Sequence, residues 1–525
     1  MTNDTPEALL AALATIVGGD HVITDADQRA YYSQDYFRKA DPVSAVIRPQ
    51  SIDQLARATA MATQAGYAIY PRGAGYSYTD AYLPTRAPGL TFDLTSLKRI
   101  VTINAQDMYV TAEAGCTWHD LDAALAPLGL RTPFWGPLSG RNATLGGAMS
   151  QGAISLGSSK YGTSADSVLG FEVVAADGTR VITGSAAQTG TSAFFRHYGP
   201  DLTGLFCNDA GALGLKATIT LRLIARPRYV GGVSFAFSDF ERVARGMAAV
   251  ARLGMATESL GMSLGALLSA TGHTTLMQDL KTLLNIVRSS ASPWLGLSQA
   301  VRIALSGRRF INQAAAHSAH FAVEAHTLRE LSGQLAAVRN AAKAFGVEIT
   351  NTVPVAMRAQ PFLPYDMLNM DGRRQLPLHG VFAFSRVTDF ERAYQALLTT
   401  EADTLARYKI DVMSVYSGIS TNGFLFEPVI LWNDVAEVFH QRHSSAATLA
   451  KITAPEPNPQ AQAAVSTLRD RIVEVMHAHG AIHMQIGKTY PYLRNRSPSH
   501  LDLVKLVKAK MDPKGLINPG ALGLP

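Results

Sequence analysis

Residues 70–82 read Tyr-Pro-Arg-Gly-Ala-Gly-Tyr-Ser-Tyr-Thr-Asp-Ala-Tyr. Two glycines (Gly73, Gly75), a cation (Arg72) and two hydroxyls (Ser77, Thr79) follow one short apolar run. Glycine lets a backbone turn through positive φ and come close to a ligand. Successive N–H groups in such a turn form an anion-binding concavity. The chemistry this suggests is the holding of a diphosphate by residues 71–77: Pro71, Arg72, Gly73, Ala74, Gly75, Tyr76 and Ser77. A second segment begins Pro137-Leu-Ser-Gly-Arg-Asn-Ala-Thr-Leu-Gly-Gly-Ala-Met-Ser-Gln and ends Ser158-Ser-Lys-Tyr-Gly-Thr. There Gly146-Gly147 opens a helix whose free N–H groups suit a phosphate. Ser150, Ser159 and Thr163 add neutral hydroxyls. The chain contains no G-x-x-x-x-G-K-[ST] and no G-x-G-x-x-G opening a helix after a first strand. A P-loop NTPase is excluded and a Rossmann domain disfavoured.

Both segments need strands and helices to hold them. Val43–Ile47 reads as a strand and Ser51–Gly66 as a helix capped by Ser51, with Ile52, Leu55, Ala56 and Ala62 on its apolar face. Tyr67–Tyr70 is the strand that delivers the first loop. Leu90–Leu94, Ile100–Ile103 and Tyr109–Ala112 are further strands, and Thr117 caps a helix that ends at Gly129. Phe171–Ala175 and Arg180–Thr183 read as a hairpin with a two-residue turn at Asp177-Gly178. From Tyr229 to about Val465 the texture changes to long helices and strands without glycine-rich loops. Residues 265–315 read as an irregular helical insertion, Met367–Pro377 as a mobile loop and Ala454–Pro459 as a linker. Helices are expected at Val465–His479 and Leu501–Met511.

At 525 residues, two or three domains are expected. The net charge of +6 suits an anionic cofactor or substrate, but no dense Lys/Arg run points to nucleic acid. Two cysteines, Cys116 and Cys207, exclude a disulfide framework and a cysteine-rich metal or iron–sulfur site. The N-terminus lacks the basic start and apolar core of a signal peptide. No apolar run reaches the roughly 18 residues of a membrane span. A soluble, cytoplasmic protein without nucleic-acid or membrane partners is the expectation, with a homodimer possible.

Two further pieces complete a pattern: Asp201-Leu-Thr-Gly-Leu-Phe-Cys-Asn-Asp-Ala-Gly-Ala-Leu-Gly-Leu, and Met511-Asp-Pro-Lys-Gly-Leu-Ile-Asn-Pro-Gly. The four pieces, in this order, resemble the vanillyl-alcohol oxidase/p-cresol methylhydroxylase superfamily of flavoproteins, which includes glycolate and D-lactate dehydrogenase types. The resemblance covers residues 43–225 and 475–523, and the middle only in outline. It implies an α+β, two-domain flavoprotein. A p-cresol-methylhydroxylase-type FAD domain (1–225) would be completed by a returning C-terminal segment (466–525), with an α+β cap between them (226–465). By position, residues 71–77 would wrap the diphosphate. Pro137, Thr144, Leu145, Gly146, Gly147, Ser150 and Gln151 would line the diphosphate and ribityl chain. Gly162, Gly214 and Leu215 would flank the FAD, and Asn518 would sit near the flavin.

Many relatives bond the flavin to a histidine in the first loop, where this chain has Tyr76. The segment before Gly146 has Gly140, Arg141 and Asn142, and so lacks the cysteine of bicovalent relatives. Dissociable FAD is therefore expected, with attachment from the cap left open. In phenol-oxidising relatives a tyrosine of this loop touches the phenolate, and Arg72-Gly-Ala-Gly-Tyr76 keeps that spacing; packing on the flavin is the alternative for Tyr76. Gln485-Ile-Gly-Lys-Thr-Tyr490 occupies the slot of the phenol oxidisers' Tyr-Arg-Thr-His. Lys488 stands for the arginine, where it would stabilise charge developing on the flavin. Gly487 replaces the tyrosine, and Tyr490 closes the motif. His477, His479 and His483 do not reproduce the family's metal motif, so no metal is expected. Within the cap, His379, Tyr416, Glu427 and Trp432 are candidates to meet substrate, with one of them as general base. Phe426 and Trp432 also suit a core. Arg373 and Arg374 could bind a substrate carboxylate or sit in a solvated loop.

The resulting expectation is an FAD-dependent oxidoreductase with catalytic residues Tyr76, Lys488, Tyr490, His379 and Glu427. It would take hydride from an aromatic or alkylphenol-type alcohol and pass electrons to oxygen or another acceptor. A 2-hydroxy acid dehydrogenase and a non-catalytic flavin-binding protein are the alternatives.

Overall fold

The computed structural model describes residues 6–271, 276–290, 293–306, 315–362, 366–454 and 456–525. The chain forms two compact units. One comprises the residues up to Ala153, Ser164–Ala225 and His483–Pro525; the other comprises Ile154–Thr163 and Arg226–Ile482.

The first unit contains a four-stranded sheet in the order Val22–Ile23, Ala45–Ile47, Gly89–Asp93, Ala68–Arg72. Its last three strands run parallel, and the helix Ile52–Gln64 crosses over between two of them. Ser51 caps that helix by accepting from Gln54 N, and Leu55, Ala58 and Ala62 are buried beneath it. This core also takes Ile69, Leu90 and Phe92 from the sheet and Ile517 from the returning C-terminus. A five-stranded antiparallel sheet follows in the order Ile100–Asn104, Tyr109–Glu113, Leu215–Arg222, Val168–Val174, Arg180–Ile182. Its last hairpin has a three-residue loop. Ala175 N bonds Thr179 O, Gly178 N bonds Ala175 O, and Gly178 takes positive φ while Asp177 does not. The two-residue turn expected at Asp177-Gly178 would need positive φ at both positions.

The second unit is built on an eight-stranded antiparallel sheet. On one face, Phe426 packs against Phe240 and Phe390, with ring centroids 5.4 and 5.0 Å apart. These two belong to the helices Phe240–Ala251 and Val387–Thr400.

The structure redraws three boundaries. The helix Pro459–Ala478, expected to belong with the returning segment, lies in the second unit, where Arg471 pairs with Glu401. The return begins at His483. Residues 154–163 also belong to the second unit: Ser159 Oγ donates to Gly418 O at 2.8 Å and Gly157 N to Glu258 at 3.0 Å. The 265–315 insertion contains the regular helices Leu264–Thr271, Leu276–Ser289 and Pro293–Ser306; residues 272–275, 291–292 and 307–314 lie outside the described residues, as does Pro455 of the linker. In the expected loop 367–377, Arg374–Pro377 is a strand paired with Val429–Trp432. No helix among the described residues is long and apolar enough to cross a membrane.

Candidate functional site

The strand Ala68–Arg72 is the last of its sheet, is bridged on its outer side to Ile517 of the returning C-terminus, and leads into the loop. The N–H groups of Gly73, Ala74, Gly75 and Ser77 make no hydrogen bond among the described residues. Thr144 Oγ1 faces this turn so closely that a Cβ on Gly73 would stand 2.4 Å from it. Consecutive unpaired donors beside a hydroxyl form the expected anion cradle.

Two expectations about this cradle change. The N–H groups at the start of the helix Leu145–Gln151 are not free: Leu145 N bonds Cys116 O, Gly146 N bonds Ala114 O, and Gly147 N bonds the capping Thr144 Oγ1. The donors come from the first loop instead. Arg72 does not reach outward with its guanidinium. The side chain is 3% exposed and lies over the rings of Tyr31, Tyr32 and Tyr82 at 4.9, 4.6 and 5.2 Å. It braces the loop from beneath, leaving only its backbone to border the cradle.

Segments distant in sequence converge on the same loop. Asn518, at φ 45°, donates from Nδ2 to Ala81 O and Ala210 O at 2.8 and 2.6 Å. Its Oδ1 is buried without a partner, as is Gln151 Oε1. Gln485 N donates to Gln151 O, Gln485 Nε2 to the Tyr78 hydroxyl at 3.3 Å, and Lys488 N to Thr79 O at 2.9 Å. Gly487 sits at φ 56° with Thr79 O only 2.2 Å from where a Cβ would be. The Lys488 ammonium donates to Leu83 O and lies 4.9 Å from the centre of the Tyr70 ring. Burial pulls its pKa down to about 7, against the nearby Asp80 and Asp35. Tyr490 is buried and stacks on His483 at 4.1 Å. Tyr76 is partly exposed and its hydroxyl accepts from Asn142 Nδ2 at 2.5 Å.

Asp35, absent from the sequence reading, fixes the far side of the loop. It accepts from Phe37 N, Arg38 N and Asp80 N at 2.8, 2.7 and 2.9 Å. Burial and the neighbouring Asp80 raise its pKa to about 7. Asp80 in turn meets Arg38 at 3.1 Å and Thr489 Oγ1 at 3.3 Å. A lone aspartate ahead of any recognisable motif carries no signal of this role.

Leu215 is fully buried in the apolar core and Gly214 lies against Val173, so this pair bounds the site by packing alone. Pro137 O closes the turn to Gly140 N, and Ser150 O accepts from Ala210 N. Gly162 ends the short helix Ser158–Tyr161 in the second unit.

In that unit, Pro377 stands opposite Val429 and Gly380 opposite Phe426, and this register sets His379 opposite Glu427. His379 is fully buried. Glu427 is partly exposed, and burial alone pushes its carboxyl up to about 7. Val415 is its cross-strand partner on the other side. Leu260, Met413, Val415 and Ser417 share its face of the sheet and are partly exposed. Tyr416, Phe426 and Trp432 are core. Arg373 pairs with Asp371 at 2.8 Å and with Asp411. Arg374 is buried over Trp432, 4.0 Å from Asp434. Arg358 bridges the buried Glu258, at 2.8 Å, and Glu324. Among the described residues no three His, Cys, Asp or Glu side chains are placed to hold a metal ion.

The donors and acceptors of the first unit fit FAD. Four unpaired N–H groups suit a diphosphate, and the orphaned Gln151 and Asn518 oxygens suit hydroxyl or ring N–H groups. Residues 43–184 match the family model described as FAD binding domain. The mitochondrial D-lactate dehydrogenase [cytochrome] of Arabidopsis thaliana is 30% identical over 227 residues, 43% of this chain and 38% of that protein. Glycolate oxidase subunit GlcD of Bacillus subtilis is 28% identical over 229 residues, 43% of this chain and 46% of that one. The match thus spans less than half the length of either relative. Among solved structures, p-cresol methylhydroxylase with substrate bound superposes with TM-score 0.72 at 15% identity, covering 99% of this chain and 96% of that one. Alkyldihydroxyacetonephosphate synthase gives 0.67 at 15%, covering 98% and 85%. The protein is a flavoprotein whose cofactor is FAD. Residues 43–184 thus match an FAD-binding domain, and over nearly the whole chain the fold is similar to that of p-cresol methylhydroxylase.

Proposed function

We propose that this protein is an FAD-dependent oxidoreductase acting on an aromatic or alkylphenol-type alcohol. The observation that carries the flavin half is the set of unpaired N–H donors of Gly73, Ala74, Gly75 and Ser77 beside Thr144. When bound, FAD supplies the two-electron acceptor for a hydride from the substrate, and oxygen or another acceptor takes the electrons on. The chain's residues position the substrate and move its proton. Tyr76, its hydroxyl held by Asn142, orients the phenolic end. Within the second unit, Glu427, whose carboxyl burial raises to about 7, and the buried His379 opposite it are the candidate general bases. Lys488 and Tyr490 support the loop and its electrostatics from the C-terminal return.

Leu260, Met413 and Val415 around Glu427 offer an apolar wall suited to an aromatic body. A 2-hydroxy acid would need a cation for its carboxylate. Arg358 and Arg373 of this unit are each matched with two carboxylates, and Arg374 faces Asp434. The names of the two sequence relatives favour the hydroxy acid, yet the similarity to them covers under half of either protein. Anaerobic bleaching of the flavin decides between them. Bleaching by 4-alkylphenols or benzylic alcohols is the expected result. Bleaching by D-lactate or glycolate alone would overturn the aromatic assignment, and bleaching by none would leave a flavin-binding protein.

A further inference from the structure

The two helices Leu276–Ser289 and Pro293–Ser306 of the second unit expose an unusual share of large apolar side chains. They meet at Gly296, where a Cβ would stand 2.7 Å from Val287 Cα. Ile286 and Ala300 are buried. Large apolar side chains stand among those turned to solvent: Leu280 is 52% exposed, Leu284 49%, Trp294 80%, Leu297 48% and Val301 47%. In the second helix, Trp294, Leu297 and Val301 are spaced three and four apart, so they form one stripe. The exposed charged neighbours of these stripes are Lys281, Arg288 and Arg302. Asp279 is the one acidic residue in the two helices.

We propose that this helical hairpin docks the protein on an anionic lipid surface, lying in the interface without spanning it. An apolar stripe carrying a tryptophan and flanked by Lys/Arg is the pattern of an interfacial helix. Anionic headgroups neutralise the flanking cations. A second copy of the chain on a two-fold axis would instead bring like charges together. This places a membrane surface among the partners, where the sequence alone suggested none.

Co-sedimentation of the FAD-loaded protein with phosphatidylserine-containing and pure phosphatidylcholine vesicles tests this. Binding to the anionic vesicles is expected, at least tenfold weaker on phosphatidylcholine and lost at high salt. Lys281→Glu/Arg288→Glu/Arg302→Glu and Trp294→Ser/Leu297→Ser should each abolish it with FAD content and thermal melting unchanged. Trp118, Trp135 and Trp432 are 1%, 7% and 0% exposed, so a blue shift of tryptophan emission on vesicles reports Trp294 and should vanish in Trp294→Phe. No vesicle binding, or binding indifferent to lipid charge, would overturn the proposal. So would a dimer that dissociates in Trp294→Ser/Leu297→Ser without any vesicle binding, since it would assign the stripe to a second copy.

Discussion

Asn142 Nδ2 donates a 2.5 Å hydrogen bond to the Tyr76 hydroxyl. The two residues come from different glycine-rich segments, 66 positions apart in sequence. The contact ties the first glycine-rich loop to the second.

That contact makes the first prediction a matter of extraction. Acid or heat should leave the yellow colour in the supernatant, because the first loop holds no histidine and the segment before Gly146 no cysteine. Colour retained in the pellet would show a covalent link. Tyr76→Phe removes the acceptor for Asn142 and should lower kcat/KM on phenols by about tenfold, or about 1.4 kcal/mol, for the loss of one oriented hydrogen bond.

Gly73→Ala should empty the cradle without unfolding the protein. The new Cβ would stand 2.4 Å from Thr144 Oγ1, and the hydroxyl must swing aside. FAD content after purification is the readout, expected to fall with little change in the melting of the apoprotein. Gly487→Ala differs, because it combines φ 56° with a backbone oxygen at 2.2 Å. It should cost about 1–3 kcal/mol of stability, measured by denaturant unfolding.

Arg358→Met should destabilise by about 3–5 kcal/mol, since it leaves Glu258 and Glu324 buried together without their cation. Adding Glu258→Gln and Glu324→Gln should restore most of the loss. A single variant as stable as the parent would show the triad to be dispensable.

The pH dependence follows from Glu427 and Asp35, both raised to about 7 in the folded protein. Between their ordinary carboxylate values and about 7 the folded state holds more protons than the unfolded one. Their contribution to stability therefore falls as pH rises through that window. Lys488, lowered to about 7, works oppositely: the unfolded chain holds the extra proton above 7, so its contribution rises with pH from about 7 to its ordinary value. Glu427→Gln should remove part of the acid-side slope. If Glu427 is the base, kcat/KM should rise with pH through about 7 in the parent and lose that limb in the variant.

The sequence by itself determined the anion-binding loop, because a glycine turn is local chemistry: Gly73 and Gly75 are legible before any fold is known, and the order of four such motifs pointed to FAD. It also determined most strands and helices of the first unit, whose caps Ser51, Thr117 and Thr144 act within one turn. Only the tertiary structure decided which donors stay free. The N–H groups of Gly146 and Gly147 look available until Ala114 O and Thr144 Oγ1 take them. Only it could turn Arg72 inward onto three tyrosines, bring Asp35 under Asp80, and set His379 opposite Glu427 across a ladder. Each of these depends on a partner distant in the chain, and whether a polar group is satisfied, or a carboxyl desolvated, is fixed by what packs against it rather than by its neighbours in sequence.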